Sequence, residues 1–393
     1  MKLLASYNYR WSIEKQKRKA ENRLIVYLQK VVAKYSPFYR EWFQTHNIDP
    51  KWIDSITDFQ KIPLTTKSDH MKNPEKFILK PFEPEWWECN FETESLSPFQ
   101  SFKYWLKALN KTYLRGVFAK EPVGEEERII MEAVNEWLPV HFHNTSGSKQ
   151  PALIAYTKRD LLVNIPEIVA HLYMTGFRAN WEVFNIMPAS PSVSFFQSVW
   201  APLSVGGGTF FTCGDKQTSP KEQFKLANNI TFELFLGTPT LTKKWLTSAI
   251  EKLSKKEINK ISSFKVCLLT GEPLLQETEA EIKSLFAELG STPEIIESYT
   301  NNRTKGTFYE CSENSGIHLN PRYFYWEVLD KNSLEPVEAG EPGYLCFSHI
   351  DWRGTVFIRY NTGDLINGLV WETCDACGLT FPKIKGSIRR SLK

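Results

Sequence analysis

Two short runs carry side chains with an affinity for soft metal ions: ECSENSGIH (310–318) and CDACG (374–378). Cys374 and Cys377 have the spacing of a tight chelating turn. Cys311 and His318, brought alongside by a neighbouring strand, would complete a tetrahedron. Four protein ligands leave no open coordination position, so the spacing predicts a structural zinc without a catalytic role. Cys346 is a nearby substitute ligand, whereas Cys89, Cys213 and Cys267 read as small buried apolar residues.

A second run, HFHNTSGSKQPALIAYTKRD (141–160), gathers small hydroxyl residues, one glycine, a lysine and a proline ahead of an apolar stretch. Such a run either wraps a phosphate with hydroxyl, amide and ammonium donors or is only a turn before a strand. His143 precedes it and could meet an acid, although a lone histidine is usually structural. The seven histidines are scattered and form no Ser–His–Asp arrangement.

The elements that must position these groups change along the chain. The periodicity predicts a helix over 12–35 and short helices with Pro-marked turns over 36–69. Residues 82–140 read as irregular and aromatic-rich, with one helix at about 125–137. Short apolar strands then alternate with helices: PALIAYT, 158–177 (helical despite its proline), EVFNIMP, GGGTFFTCG, 219–228, FELFLGTP, 241–255, FKVCLLTGEPL, 275–289 and EIIESYT. That alternation implies parallel pairing with helices on both faces. From 307 short strands dominate and imply a smaller antiparallel lobe.

The expected divisions are 1–140 (helical, with the aromatic insert), 141–306 (α/β), 307–385 (β-rich, with the metal site) and 386–393 (a terminal stub). The 393 residues carry a net charge of +3, which gives no support to a nucleic-acid partner. The basic run at 14–23 reads as a solvated helix face. No signal peptide and no membrane span are evident, so a cytoplasmic chain with reduced cysteines is expected.

Ordered motifs add a resemblance. They are YSPFYREWFQTHNIDPKWIDSITDFQKIPLTTKSD (35–69), the 145–151 loop, TGEPL (270–274), ESYT (297–300), GIHLNPRYFYWEVLD (316–330), GEPGYLCF (340–347) and IRYNTGDL (358–365). Together they resemble the adenylate-forming ligases, and among them the phenylacetate–CoA ligase group, over nearly the whole chain. The resemblance implies the α/β large domain of that fold and ATP-dependent activation of a small-molecule carboxylic acid. An acyl-adenylate would form first, followed by transfer to coenzyme A. It further implies that Asp364 accepts from the ribose hydroxyls, that Gly271, Glu272 and Pro273 border the adenine, and that Tyr299 stacks on it. Arg359 of the same motif is expected at the nucleotide. In the loop, Thr145, Ser146 and Lys149 are the expected catalytic donors and Gly147 and Ser148 the binding positions. The acid is expected among Pro188, Ser190, Phe195, Phe196, Thr238 and Pro239. The four Cys/His positions occur in some members of the group.

Three departures qualify what the resemblance implies. The loop TSGSKQP is one residue short of the family pattern and lacks its second glycine. YTNNR places Arg303 where the family has a Mg²⁺-binding glutamate, and a guanidinium cannot ligate a metal, although it can neutralise phosphate directly. The sequence stops at FPKIKGSIRRSLK, the family's interdomain hinge, so the C-terminal domain is expected to be absent. Three readings stay open: an acyl- or aryl-CoA ligase-like enzyme; an acyl-protein synthetase or acyltransferase that uses an acyl-carrier or other protein thiol; and a degenerate member that binds nucleotide, thioester or a protein partner without adenylation. A homodimer is compatible with each.

Overall fold

The computed structural model describes residues 10–81, 97–115, 125–144, 152–214 and 217–390. Helix α1 (Ile13–Tyr27) starts on Ser12, whose side chain accepts from the Lys15 amide. The helical path continues through a wider π turn at Leu28–Val32 to Tyr35. Leu24, Leu28 and Val32 recur every fourth residue and are fully buried. Helix α2 (Lys67–Lys72) carries a capping box between Thr66 and Asp69.

The stretch read as irregular contains an 18-residue helix, α3 (Pro98–Arg115), ahead of α4 (Glu125–Trp137). Two antiparallel strands follow, β1 (Pro139–Asn144) and β2 (Leu153–Thr157). The expected 158–177 helix is a series of turns: a π segment Asp160–Asn164, an α segment Ile165–Val169 and a 3-10 segment ending at Gly176. Pro166 stands near the start of the α segment, where a missing N–H is tolerated.

The main sheet has six strands: β3 (Glu182–Asn185), β4 (Gly208–Phe211), β5 (Leu234–Gly237), β6 (Val266–Leu269), β7 (Glu294–Thr300) and β8 (Thr307–Tyr309). Their spatial order is β4-β3-β5-β6-β7-β8, and only the β7–β8 pair is antiparallel. Strands covered on both faces need apolar residues at successive positions. One face packs Phe184, Phe235 and Cys267 against Phe224, Trp245 and Phe286. These come from α6 (Pro220–Asn229), α7 (Pro239–Ser254) and α8 (Gln276–Leu289). The other face places Val183, Leu236, Leu268 and Ile296 in a larger core that includes Leu24, Tyr39 and Trp352. The N-terminal helices therefore share a core with the sheet.

Beyond β8 come β9 (Ile317–His318), β10 (Phe324–Leu329), β11 (Gly343–His349), β12 (Tyr360–Ile366), β13 (Leu369–Trp371), β14 (Pro382–Ile384) and β15 (Ile388–Arg390). They form antiparallel sheets in the orders β10-β11-β12-β15 and β13-β14-β9. Residues 388–390, expected within a hinge stub, pair with β12 so that Arg390 lies opposite Asp364.

Candidate functional site

Asp364 owes its position to an irregularity in β12. Against β11 the register jumps from Tyr344↔Leu365 to Cys346↔Asn361. Residues Thr362, Gly363 and Asp364 thus stand opposite Leu345 alone, a bulge that re-aims a side chain. Gly363 has φ +75°, a conformation that L side chains rarely adopt. The Thr362 hydroxyl donates to Leu345 O at 2.7 Å and accepts from the Asp364 amide at 3.0 Å. Asp364 Oδ2 then accepts from the Tyr299 hydroxyl at 2.8 Å and from Asn301 Nδ2 at 3.3 Å. Burial, reinforced by the Asp364 charge, pushes the Tyr299 phenol well above its ordinary range, so it stays a donor.

These groups wall a cleft of about 270 Å³ at the carboxyl ends of β6 and β7. Ligands of open α/β sheets bind at such strand ends. Gly271, Glu272 and Pro273 form one side, residues 297–303 the floor, and Asp364 with Ile388 the other side. Gly271 has φ +82°. Glu272 turns its carboxylate to the α7 N-terminus, where it accepts from the Thr240 amide at 3.0 Å.

Arg303 lines the same cleft. Its amide donates to Asn301 Oδ1 at 3.0 Å and its Nε to His70 Nδ1 at 3.2 Å. The guanidinium lies 5.5 Å from the Tyr360 ring centroid. Burial, aided by Arg303, holds the His70 imidazole at about 3, so it is a neutral acceptor. Lys67, in the first turn of α2, brings a second cation that the sequence reading did not single out. Its signal was available in LTTKSD, a capping-box pattern within a matched motif.

Behind the cleft, Lys305 (φ 62°) is fully buried. Its ammonium donates to Asp160 Oδ2 at 2.9 Å, Arg353 O at 2.9 Å and Thr355 O at 3.1 Å. It also lies against the Tyr156 and Trp352 rings. This anchor fixes the end of the turn that presents Asn301 and Arg303.

Several expected residues are placed elsewhere. Arg359 does not line the cleft: its guanidinium pairs with Glu327 at 3.1–3.2 Å and donates to Gln60 O and Ile62 O. Phe195 packs near Phe211, and Phe196 stacks on His141 and Trp200. Thr238 caps α7 and Pro239 opens it. A narrow slot next to the cleft is lined instead by Gln197, Ser198, Ala201, Leu236, Leu268 and Thr270, among others, and shares Ser194 and Thr300 with the cleft. His143 is buried against Tyr156 and Phe196. Thr145, Ser146, Gly147, Ser148 and Lys149 lie outside the described residues.

The metal-type residues do come together. One ligand atom each from Cys311, His318, Cys374 and Cys377 lies within 4.8 Å of all the others. Cys311 Sγ and Cys374 Sγ are 3.6 Å apart, as are Cys377 Sγ and His318 Nε2. Two thiolates at zinc-bond lengths of ~2.3 Å in a tetrahedron are separated by just such a distance. Hydrogen bonds from Cys377 and His318 lower the Cys311 thiol, while the same contact raises that of Cys377, as expected of two thiols that share a proton. Cys346 is not in the cluster; it is buried near Glu327 and Arg359.

The six-stranded sheet, the antiparallel lobe and the cleft between them have the fold of the adenylate-forming ligases. The model of the AMP-binding enzyme family matches residues 139–351, and the chain belongs to that family. Phenylacetate-coenzyme A ligase of Thermus thermophilus is 24% identical over 371 residues, covering 92% of this chain and 66% of the relative. The enzyme of the same name from Escherichia coli is 22% identical over 333 residues, covering 84% and 62%. The chain thus spans just under two thirds of these relatives' length. Among solved structures, an open conformation of 2-hydroxyisobutyryl-CoA ligase in complex with 2-HIB-AMP and CoA has a TM-score of 0.68 at 15% identity, covering 94% of this chain and 73% of that one. This last likeness is one of fold.

Proposed function

We propose that the chain activates a carboxylic acid with ATP and passes the acyl group to a thiol, as an acyl- or aryl-CoA ligase does. A carboxylate oxygen attacks the α-phosphorus of ATP, and pyrophosphate leaves with the electrons of the broken P–O bond. The thiol sulfur then attacks the acyl carbonyl and AMP departs. The observation that carries the reading is Asp364, held by Tyr299 and Asn301 at the wall of the cleft. An ionised carboxylate can accept from further donors, so it suits two ribose hydroxyls. Gly271 and Pro273 then face the adenine. The Tyr299 hydroxyl is occupied by Asp364, which leaves its ring as the surface offered to the base.

Arg303, Lys67 and Lys149 supply positive charge for the phosphates, and Thr145, Ser146, Gly147 and Ser148 add neutral hydroxyl and amide donors. A Mg²⁺ ion is not supported at position 303, because the side chain there is donor-only. The acceptor is coenzyme A or a protein thiol, and a homodimer is compatible with either. The Cys311–His318–Cys374–Cys377 quartet fits zinc. The ion would tie β9 and the turn before it to the loop before β14.

The test is carboxylate-dependent exchange of pyrophosphate into ATP across a panel of aryl and aliphatic acids. Exchange with at least one acid is expected. Arg303 favours a second reading, in which the cleft holds nucleotide or thioester without adenylation. Tight AMP binding with no exchange for any acid would replace the first reading by the second.

A further inference from the structure

The slot beside the cleft contains two polar atoms whose needs the fold leaves unmet. It narrows between α5 (Val193–Ser204) and strands β5, β6 and β8. Most of its wall is apolar: Leu172, Leu234, Leu236, Leu268 and Ala201. Its hydroxyls are largely occupied. The Ser198 hydroxyl donates to Phe195 O at 2.7 Å and accepts from Asn185 Nδ2 at 2.9 Å. Thr300 and Thr307 bond each other at 3.1 Å.

Gln197 differs. Only 3% of it is exposed, and its amide orientation is fixed by chemistry. Nε2 donates to the Lys305 carbonyl at 3.0 Å, and a carbonyl accepts only from the NH₂ end. Oε1 is therefore the remaining end of the amide, and no described group donates to it. The Tyr156 phenol is held against the Gln197 side chain, which tempers the rise that burial imposes on it, yet neither its oxygen nor Gln197 Oε1 has a described partner at full hydrogen-bond geometry. Thr270, 4% exposed, likewise has a hydroxyl without a described partner. A buried acceptor left unpaired costs roughly 1–3 kcal/mol. An acyl pocket for a plain alkyl or aryl chain gains nothing from an amide oxygen, because burying that chain leaves the oxygen dry.

We infer that the acid taken by this chain is short and carries a hydrogen-bond donor, a hydroxyl or an amino group, on its chain, which Gln197 Oε1 and Thr270 Oγ1 receive. The slot's volume of about 20 Å³ has room for little more than one or two water-sized groups. The acid's carboxylate would sit at the junction marked by Ser194 and Thr300, facing the nucleotide. This assignment rests on the adenylation reading and adds to it a substrate class. A site built to bond a substrate hydroxyl rejects the analogue that lacks it far more strongly than a hydrophobic pocket rejects an extra methylene.

The test uses stable acyl-sulfamoyl adenosine mimics of the adenylate in matched pairs: lactoyl with propanoyl, 3-hydroxybutanoyl with butanoyl, and alanyl with propanoyl. Calorimetry gives Kd for each with the full chain. At least one donor-bearing mimic is expected to bind about 10-fold or more tighter than its partner. Gln197→Leu and Thr270→Val should each shrink that ratio toward one while changing the Kd of the deoxy mimic less than about threefold. Equal binding within every pair would overturn the inference and leave the adenylation reading standing; it would mean that a resident water satisfies the two atoms. A preference for the deoxy mimics would overturn it too. Failure of all mimics and of AMP to bind would remove the adenylation reading and this inference with it. The wild-type comparison stands even where a variant fails to fold.

Discussion

Removing the proposed zinc should destabilise the chain by an amount that the geometry sets. Cys311 Sγ and Cys374 Sγ lie 3.6 Å apart although 63 residues separate them in sequence. A cross-link closing a loop of that length removes denatured-state entropy worth about 4 kcal/mol at room temperature, and metal clips act by the same route as disulfides. Unfolding entropy is roughly 2 cal/mol/K per residue, so for a 393-residue chain that loss lowers Tm by about 5 °C. The assay has two parts. Elemental mass spectrometry of the purified protein should find one zinc per chain, absent from a Cys374→Ser/Cys377→Ser variant. Scanning calorimetry before and after a strong chelator should then show the Tm shift, whereas Cys213→Ser, outside the quartet, keeps both the metal and the Tm. A metal-free native protein, or a Tm unmoved by removal of the zinc, would refute the reasoning.

Lys305→Met should lose about 3–5 kcal/mol in urea unfolding, since Asp160 is left as an unpaired buried charge, and Lys305→Met/Asp160→Asn should recover most of it; equal losses in both would contradict the ion-pair account. Arg303→Met should weaken ATP binding by about 10-fold or more and AMP binding less, because its charge is proposed to neutralise phosphate and ATP carries more of it; equal weakening in titrations of both would count against that role. His70 is held at about 3, far below the unfolded value of ~6.5, so the folded state binds fewer protons between those limits. Its contribution to stability is complete above pH ~6.5 and falls by about 1.4 kcal/mol per pH unit as the pH drops toward 3. His70→Gln should flatten the acid limb of stability against pH by one proton, and an unchanged slope would contradict a neutral His70.

Much of this architecture was legible because local patterns decided it. Four-residue apolar runs such as Leu234–Gly237 and Val266–Leu269 are too short for helices and suit strands covered on both faces, and their alternation with helices implied the parallel sheet. The quartet was legible because chelation leaves a short-range spacing in the sequence. Helix α3 was not legible: Phe99 and Phe102 are 78% and 56% exposed, so its aromatic residues do not segregate to one inward face. Within the site, motifs gave position along the chain but not direction. Arg359 shares a motif with Asp364, yet it adopts φ 45° and turns to Glu327. Phe195, Phe196 and Gln197 are consecutive at the start of α5, and each helical step swings the side chain by about 100°, so only Gln197 reaches the slot. Arg303 was named from its register in the motif, but its hold on His70, 233 residues away, is a tertiary fact.

The claim on which the account turns is that the cleft holds an adenine nucleotide by its ribose. Calorimetric titration of AMP into the wild-type chain and into Asp364→Asn tests it most directly. Replacing the carboxylate removes charge-assisted acceptance from the ribose hydroxyls, worth about 1.5–3 kcal/mol, so AMP should bind the wild type and bind the variant about 10- to 150-fold more weakly. No detectable binding to the wild type, or equal affinity for the two proteins, would contradict the account.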